Sequence, residues 1–244
     1  MAQNLGRAGY RLFLLARNES QLQQAAAQLQ QAGIVVDTYR ADVSRESDLS
    51  QVAIELQRTV GHIDFLILNA GMVTVKLLRD YSSTDELRQD LDIDLWGTIM
   101  SAYSFQPLLR EGSKILMISS GFGLMGAAGY SIYCAAKAGV VNFAEALRRE
   151  LLSQKIQVFV ACPGDIDTPQ YAFEMQSQPD WMQKETPRKL MKPEEAARII
   201  LGACRQEKRF LITNSSDVRL LMLVSKLLPR RWRDWLLDRM FPRP

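Results

Sequence analysis

With 244 residues, 47% of them hydrophobic, the chain is long enough to bury one large core and has the composition of an ordinary globular protein, not of a disordered or fibrous one. Thirty Lys and Arg against 27 Asp and Glu leave a net charge of +3, too weak a field to argue for nucleic acid, and no base-reading motif accompanies it. Cys134, Cys162 and Cys204 have neither metal-ligand spacing nor a disulfide framework, so they read as small core residues in a reducing compartment and no metal is expected. In chain order, residues 1–9 read as the end of a helix stopped by Gly9. Apolar strand runs follow at 10–16, 34–39, 63–68, 114–119, 156–161 and 209–213. Helical patterns occupy 19–31, 45–60, 86–109, 131–152 and 193–206, so strands and helices alternate as a parallel α/β sheet requires.

The informative chemistry sits in ISSGFGLMGAAGYSIYCAAKAGV. Tyr133 and Lys137 are four apart and share a helix face. An ammonium beside a phenol favours the phenolate, so Lys137 is expected to lower the Tyr133 pKa towards working pH and let it exchange protons with a carbonyl or alcohol. Ser120, just after the strand run, can donate to the same oxygen as negative charge develops. A Tyr-x-x-x-Lys pair alone means little in a chain with seven tyrosines. The serine thirteen residues earlier, across a glycine-rich linker, makes chance far less plausible.

This arrangement resembles the short-chain dehydrogenase/reductase family over about residues 1–213, and other segments agree in order and spacing. Leu68-Asn69-Ala70-Gly71 resembles the family's Asn-Asn-Ala-Gly, Asp42 its adenine-contacting acid, and Pro163-Gly164 with Ile166 and Thr168 its Pro-Gly-x-Val-x-Thr segment over the nicotinamide and pyrophosphate. The resemblance implies a doubly wound, Rossmann-like parallel sheet with helices on both faces. It also implies Ser120, Tyr133 and Lys137 as catalytic residues, with Tyr133 and Lys137 also touching the cofactor.

Three departures follow. The family opens with a strand and a Thr-Gly-x-x-x-Gly-Ile-Gly turn that brings amides to the pyrophosphate, and residues 1–9 match only the second half of the helix after that turn. Met1 is therefore expected to be internal, with the start roughly 18–25 residues upstream; the rival expectation is a shortened, non-catalytic relative acting as a binding or scaffold protein. Asp94 stands where the family usually has Asn, and joins the catalytic candidates; the alternative is a solvated helix residue without a role. Leu68 replaces the first Asn of Asn-Asn-Ala-Gly.

At the end of the first strand run Ala16 precedes Arg17, where an NAD-preferring relative places an acid, so NADP(H) is favoured and NAD(H) is the second choice. Residues 165–191 form the expected substrate lid, with Tyr171, Phe173, Met175, Trp181 and Met182 suggesting either an apolar substrate or simple packing. Residues 214–244 are read as a separate tail. From 219 to 244 seven cations face two aspartates, +5 against +3 for the whole chain, interleaved with Trp232, Trp235, Leu236, Leu237, Met240 and Phe241. That pattern suits a helix lying on a membrane interface, or one docked on the protein or a partner subunit.

The tail and the ARN, AGM and DTP segments resemble the 3-ketodihydrosphingosine reductase branch. The implied activity is NADPH-dependent reduction of a carbonyl on an apolar, lipid-like substrate such as a 3-keto long-chain base; the alternatives are a 3-oxoacyl-carrier reductase or a general carbonyl reductase. A sugar-nucleotide epimerase or dehydratase would need a larger C-terminal substrate domain. The implied setting is cytoplasmic, peripheral to a membrane if the tail binds one, with a homodimer or homotetramer paired around Trp96 and Phe143.

Overall fold

Each of the six apolar runs forms a strand, because short aliphatic runs bounded by turn signals suit a sheet covered on both faces. They are β1 (Leu12–Ala16), β2 (Val36–Arg40), β3 (Phe65–Leu68), β4 (Lys114–Ile118), β5 (Gln157–Ala161) and β6 (Leu211–Ile212). The computed structural model describes residues 1–182, 190–207 and 209–240. All pairings among these strands are parallel: β1 lies against β2, and β3, β4, β5 and β6 follow one another in that order. β1 and β3 share no ladder, and both line a cavity of about 1480 Å³.

The helices are α1 (Ala2–Gly6), α2 (Glu19–Gln31), α3 (Glu46–Thr59), α4 (Thr84–Asp90), α5 (Gly97–Phe105), α6 (Ser131–Glu150), α7 (Pro169–Ser177), α8 (Pro193–Gln206), α9 (Ser216–Leu227) and α10 (Arg230–Met240). Local chemistry sets several starts. Asn18, Ser83 and Thr168 each accept a first-turn N–H, and Pro169 and Pro193 occupy first helical positions where their missing N–H costs nothing.

Strand alternation divides the core. Ile115, Met117, Val158 and Val160 pack with Leu49, Val52, Met100, Phe105, Val140 and Ala144 of α3, α5 and α6. Leu116, Phe159 and Ala161 face the other way, onto Leu5, Ala26, Leu29, Ile200 and Cys204 of α1, α2 and α8. This is the Rossmann-like α/β arrangement with helices on both faces, and the three cysteines are buried within it as expected.

One sequence expectation needs correcting. The continuous helix expected over 86–109 is α4, then a π-helical stretch Leu91–Trp96, then α5 and a short 3-10 turn. A π turn inserts a residue into the helical ladder, and helix propensity carries no signal for it. Here it coincides with Asp94, whose carboxylate is held by contacts outside the helix.

Candidate active site

β4 delivers the chain to Ser120, whose Oγ accepts the N–H of Phe122 at 3.2 Å. That leaves the hydroxyl proton free to be donated, and the Ser120 hydroxyl is near enough to the Tyr133 phenol to favour its ionised form. Tyr133 and Lys137 lie one turn apart on α6, both buried, with the Lys137 Nζ 5.6 Å from the Tyr133 ring centre. Nζ also donates to the Ile118 carbonyl at 3.4 Å, at the end of β4. The sequence-named trio is thus together, and one further helical position, Asp94, joins it: Asp94 Oδ1 is 3.4 Å from Nζ and accepts the Met72 N–H at 2.9 Å. Asp94 is fully buried, so it is not a solvated helix residue.

The electrostatics correct the sequence reading of Lys137. Tyr133 is held above the ordinary phenol value, first by burial and then by the Asp94 carboxylate; the Ser120 hydroxyl pulls the other way. The ammonium is engaged by Asp94, so its field at the phenol is offset by an opposite charge beside it. Asp94 itself is raised to about 6 by burial, against the pull of Lys137 and the Met72 amide, with Asp90 adding a like charge.

Gly71 explains how the ion pair fits. A Cβ there would lie 2.7 Å from Asp94 Oδ1 and 3.0 Å from Lys137 Nζ, so only glycine leaves room for both groups. Ser119 holds the far side, its Oγ donating to the Lys137 carbonyl at 2.8 Å. Asp90, also fully buried, accepts the Thr74 N–H and hydroxyl at 3.1 and 2.8 Å and fixes the chain after Gly71. Sequence reasoning passed over Ser119, Thr74 and Asp90; the Ser119-Ser120 doublet and the four-residue Asp90–Asp94 spacing were the available signals.

Seven residues named as cofactor contacts, Arg17, Asp42, Asn69, Ala70, Gly71, Ile166 and Thr168, line the 1480 Å³ cavity, which runs the length of β1 and β3 from Arg11 and Asp64 to Arg17 and Asn69. Pro163 and Gly164, which follow β5, do not line it: the Pro163 carbonyl accepts the Gly121 N–H at 2.8 Å and Asn214 Oδ1 accepts the Gly164 N–H at 3.1 Å. Asp42 stays below its ordinary value despite burial, because the Ser44 hydroxyl and N–H donate to it and Arg17 and Arg45 lie near. A second cavity of about 660 Å³ brings Arg40 and Arg45 to the same place as Arg17. The sequence reading named only Arg17. Arg17 and Asp42 line both cavities, while Ser120, Tyr133 and Lys137 line neither; Gly71 is the link, lining the larger cavity and packing against Asp94 and Lys137.

Over Tyr133 lies an apolar wall of Val73, Val75, Tyr130 and Met182, with Phe122 and Trp181 against it. Of the expected lid residues, Met182 is buried, Trp181, Tyr171 and Met175 are half-buried and Phe173 is exposed; positions 183–189 lie outside the described residues. Tyr130 donates to Glu174 Oε1 at 2.7 Å and accepts from Gln178 at 2.8 Å, which ties α7 to the start of α6. Losing a hydrogen bond to a charged group costs about 2 kcal/mol. Tyr130→Phe is therefore expected to raise KM by roughly tenfold with a smaller change in kcat, as measured by initial rates.

Known proteins share this fold and sequence pattern. The sequence profile of the short chain dehydrogenase family matches residues 1–178. A 3-oxoacyl-[acyl-carrier-protein] reductase of Rattus norvegicus is 31% identical over 169 residues, 69% of this chain and 70% of that protein. An 11-beta-hydroxysteroid dehydrogenase-like 4A of Arabidopsis thaliana is 31% identical over 235 residues, 94% of this chain and 76% of the relative. The fold superposes on a short chain dehydrogenase/reductase from Burkholderia phymatum, crystallised in complex with NAD, with a TM-score of 0.77 at 22% identity, covering 93% of this chain and 89% of that one. The chain belongs to the short-chain dehydrogenase family and has the oxidoreductase fold of that family.

Proposed function

We propose that the protein reduces a carbonyl to an alcohol with NADPH, and that its substrate is a ketone on an acyl chain or another bulky apolar skeleton. The observation that carries this reading is the grouping of Ser120, Tyr133 and Lys137, with the Lys137 Nζ 5.6 Å from the Tyr133 ring centre, against an apolar cluster and joined through Gly71 to the cavity lined by the cofactor-type residues. A bound dihydronicotinamide supplies the hydride. Tyr133 gives its phenolic proton to the carbonyl oxygen, Ser120 donates to the same oxygen and orients it, and Lys137 holds positive charge beneath the site. Arg17, Arg40 and Arg45 would hold the adenosine end, Asp42 the adenine, and Asn69, Ala70, Gly71, Pro163, Gly164, Ile166 and Thr168 the remainder.

The named relatives act, by their names, on 3-oxoacyl and hydroxysteroid groups, which supports an acyl or general carbonyl substrate over a 3-keto long-chain base. The discriminating experiment is initial-rate screening of 3-oxoacyl thioesters, steroid ketones and a 3-keto long-chain base, each with NADPH and NADH. Inertness towards every carbonyl and alcohol offered would overturn the reading. Three arginines gather where β1 ends in Ala16 and not in an acid, which favours a 2′-phosphate; Asp42, Asp48 and Glu55 line the same cavity. Arg17→Asp is expected to erode NADPH preference over NADH on the order of tenfold, and an unchanged kcat/KM ratio would reject that role.

The same reading treats residues 214–244 as a distinct tail that touches a membrane surface from the cytoplasmic side. Exposed Leu220, Leu223, Leu227, Trp232 and Trp235, with Arg239 4.2 Å over the Trp235 ring, support it. Phe241 lies outside the described residues, and among those described no helix is long and apolar enough to cross a membrane. Exposed Trp96 and Tyr103 support pairing of two or four copies along that face.

A further inference from the structure

The carboxylate of Asp94 is a buried charge that proton transfer does not itself require, and unlike Asp90 it is paired with Lys137. Its Oδ1 is shared by Lys137 Nζ and the Met72 N–H, while Oδ2 is buried with no hydrogen-bond partner. The same residue's backbone carbonyl accepts the Thr98 hydroxyl at 2.8 Å. An uncharged amide could accept from Met72 equally well, so the hydrogen bonding leaves the negative charge without a purpose of its own. What the charge does is set by its neighbours. It sits beside Lys137, which in turn stacks 5.6 Å from the Tyr133 ring, and all three side chains are shielded from water.

We infer that Asp94 is a positioning residue whose charge, paired with Lys137, keeps Tyr133 in its proton-donating form. The inference rests on Tyr133 being the proton-transfer group proposed above, and deepens that reading. In an ion pair the two fields largely cancel at a third group, so the phenol is held protonated by its burial. The direction in which Tyr133 is displaced, with Asp94 as the leading charge behind it, agrees. Other charged and titratable groups face this cluster. Asp90 on α4 lies beside Asp94, with Glu86 acting on Asp90. Glu174 on α7 and Cys134 on α6 face Tyr133, and Cys162 after β5 feels Lys137. Among them Lys137 is the cation, so removing one carboxylate leaves its charge less opposed at the phenol.

A reductase with its donor held protonated keeps its rate as the solution becomes alkaline, because the rate falls only when the phenol ionises. Asp94→Asn is isosteric and keeps the Met72 contact; Asp94→Ser is smaller and equally uncharged, and serves if the first variant does not fold. Each is compared with the unmutated chain in two measurements: the pH profile of ketone reduction, and phenolate absorbance with the corresponding Tyr133→Phe protein subtracted. The alkaline limb and the Tyr133 phenolate are both expected to move to lower pH by roughly one unit or more. A uniform loss of rate with neither moved would show a merely structural role and overturn the inference. If the phenolate moves while every carbonyl offered remains inert, the role of Asp94 stands and the assignment as a carbonyl reductase falls.

Discussion

Tyr133→Phe is expected to lower the rate of carbonyl reduction by roughly 10²–10⁴-fold while leaving nicotinamide binding close to that of the unmutated chain. The change removes one hydroxyl and leaves the ring, which packs 6.4 Å edge-on against Phe122 and within the Tyr130, Cys134 and Met182 cluster. The wall above the site and the Asp94–Lys137 pair below it should therefore persist. Ser120 keeps its contact with the Phe122 amide and can still polarise a carbonyl, so a residual rate is expected from that donor and from binding. The checks are single-turnover reduction, and cofactor titration by nicotinamide fluorescence. Unchanged turnover would remove Tyr133 from the mechanism; lost cofactor affinity would mean that the phenol serves the dinucleotide more than the substrate.

The sequence carried the fold well where local chemistry decides it. The helices over 19–31 and 193–206 have the expected bounds because Asn18 and Pro193 mark their starts, and Gln31 is followed by Gly33 at φ +74°, a conformation glycine adopts freely. It failed at 86–109, where contacts from Met72 and Lys137, distant in sequence, accompany a π turn inside an otherwise helical pattern. The candidate site was legible as a set of residues because its spacings are helical and strand-terminal. Its electrostatics were not, since a four-residue Tyr–Lys spacing says which face the ammonium occupies but not which third group neutralises it. The clustering of Arg40 and Arg45 with Arg17 was likewise hidden, because it depends on β1 and β2 lying in register, Ala16 opposite Arg40.

Lys137→Met should destabilise the protein far more at alkaline than at acidic pH. In the unmutated chain Asp94 is raised from 3.8 to about 6, so the folded state binds its proton more tightly than the unfolded state. Stability is then greatest below the unfolded value and falls as pH rises through the folded one, by about 3 kcal/mol for a shift near two units. Lys137 is the strongest charge opposing that rise. Without it the folded value climbs further, the falling limb extends to higher pH, and a buried carboxylate stands unpaired at about pH 8, at a cost of about 3–5 kcal/mol. At about pH 5 the carboxyl is protonated and needs no cation, so most of the loss should vanish. Urea unfolding at the two pH values measures the difference, and Lys137→Met combined with Asp94→Asn should recover the alkaline loss because the orphaned charge is gone. An equal loss at both pH values, unrelieved in the double variant, would assign it to the packing of the lysine stem instead of to the ion pair.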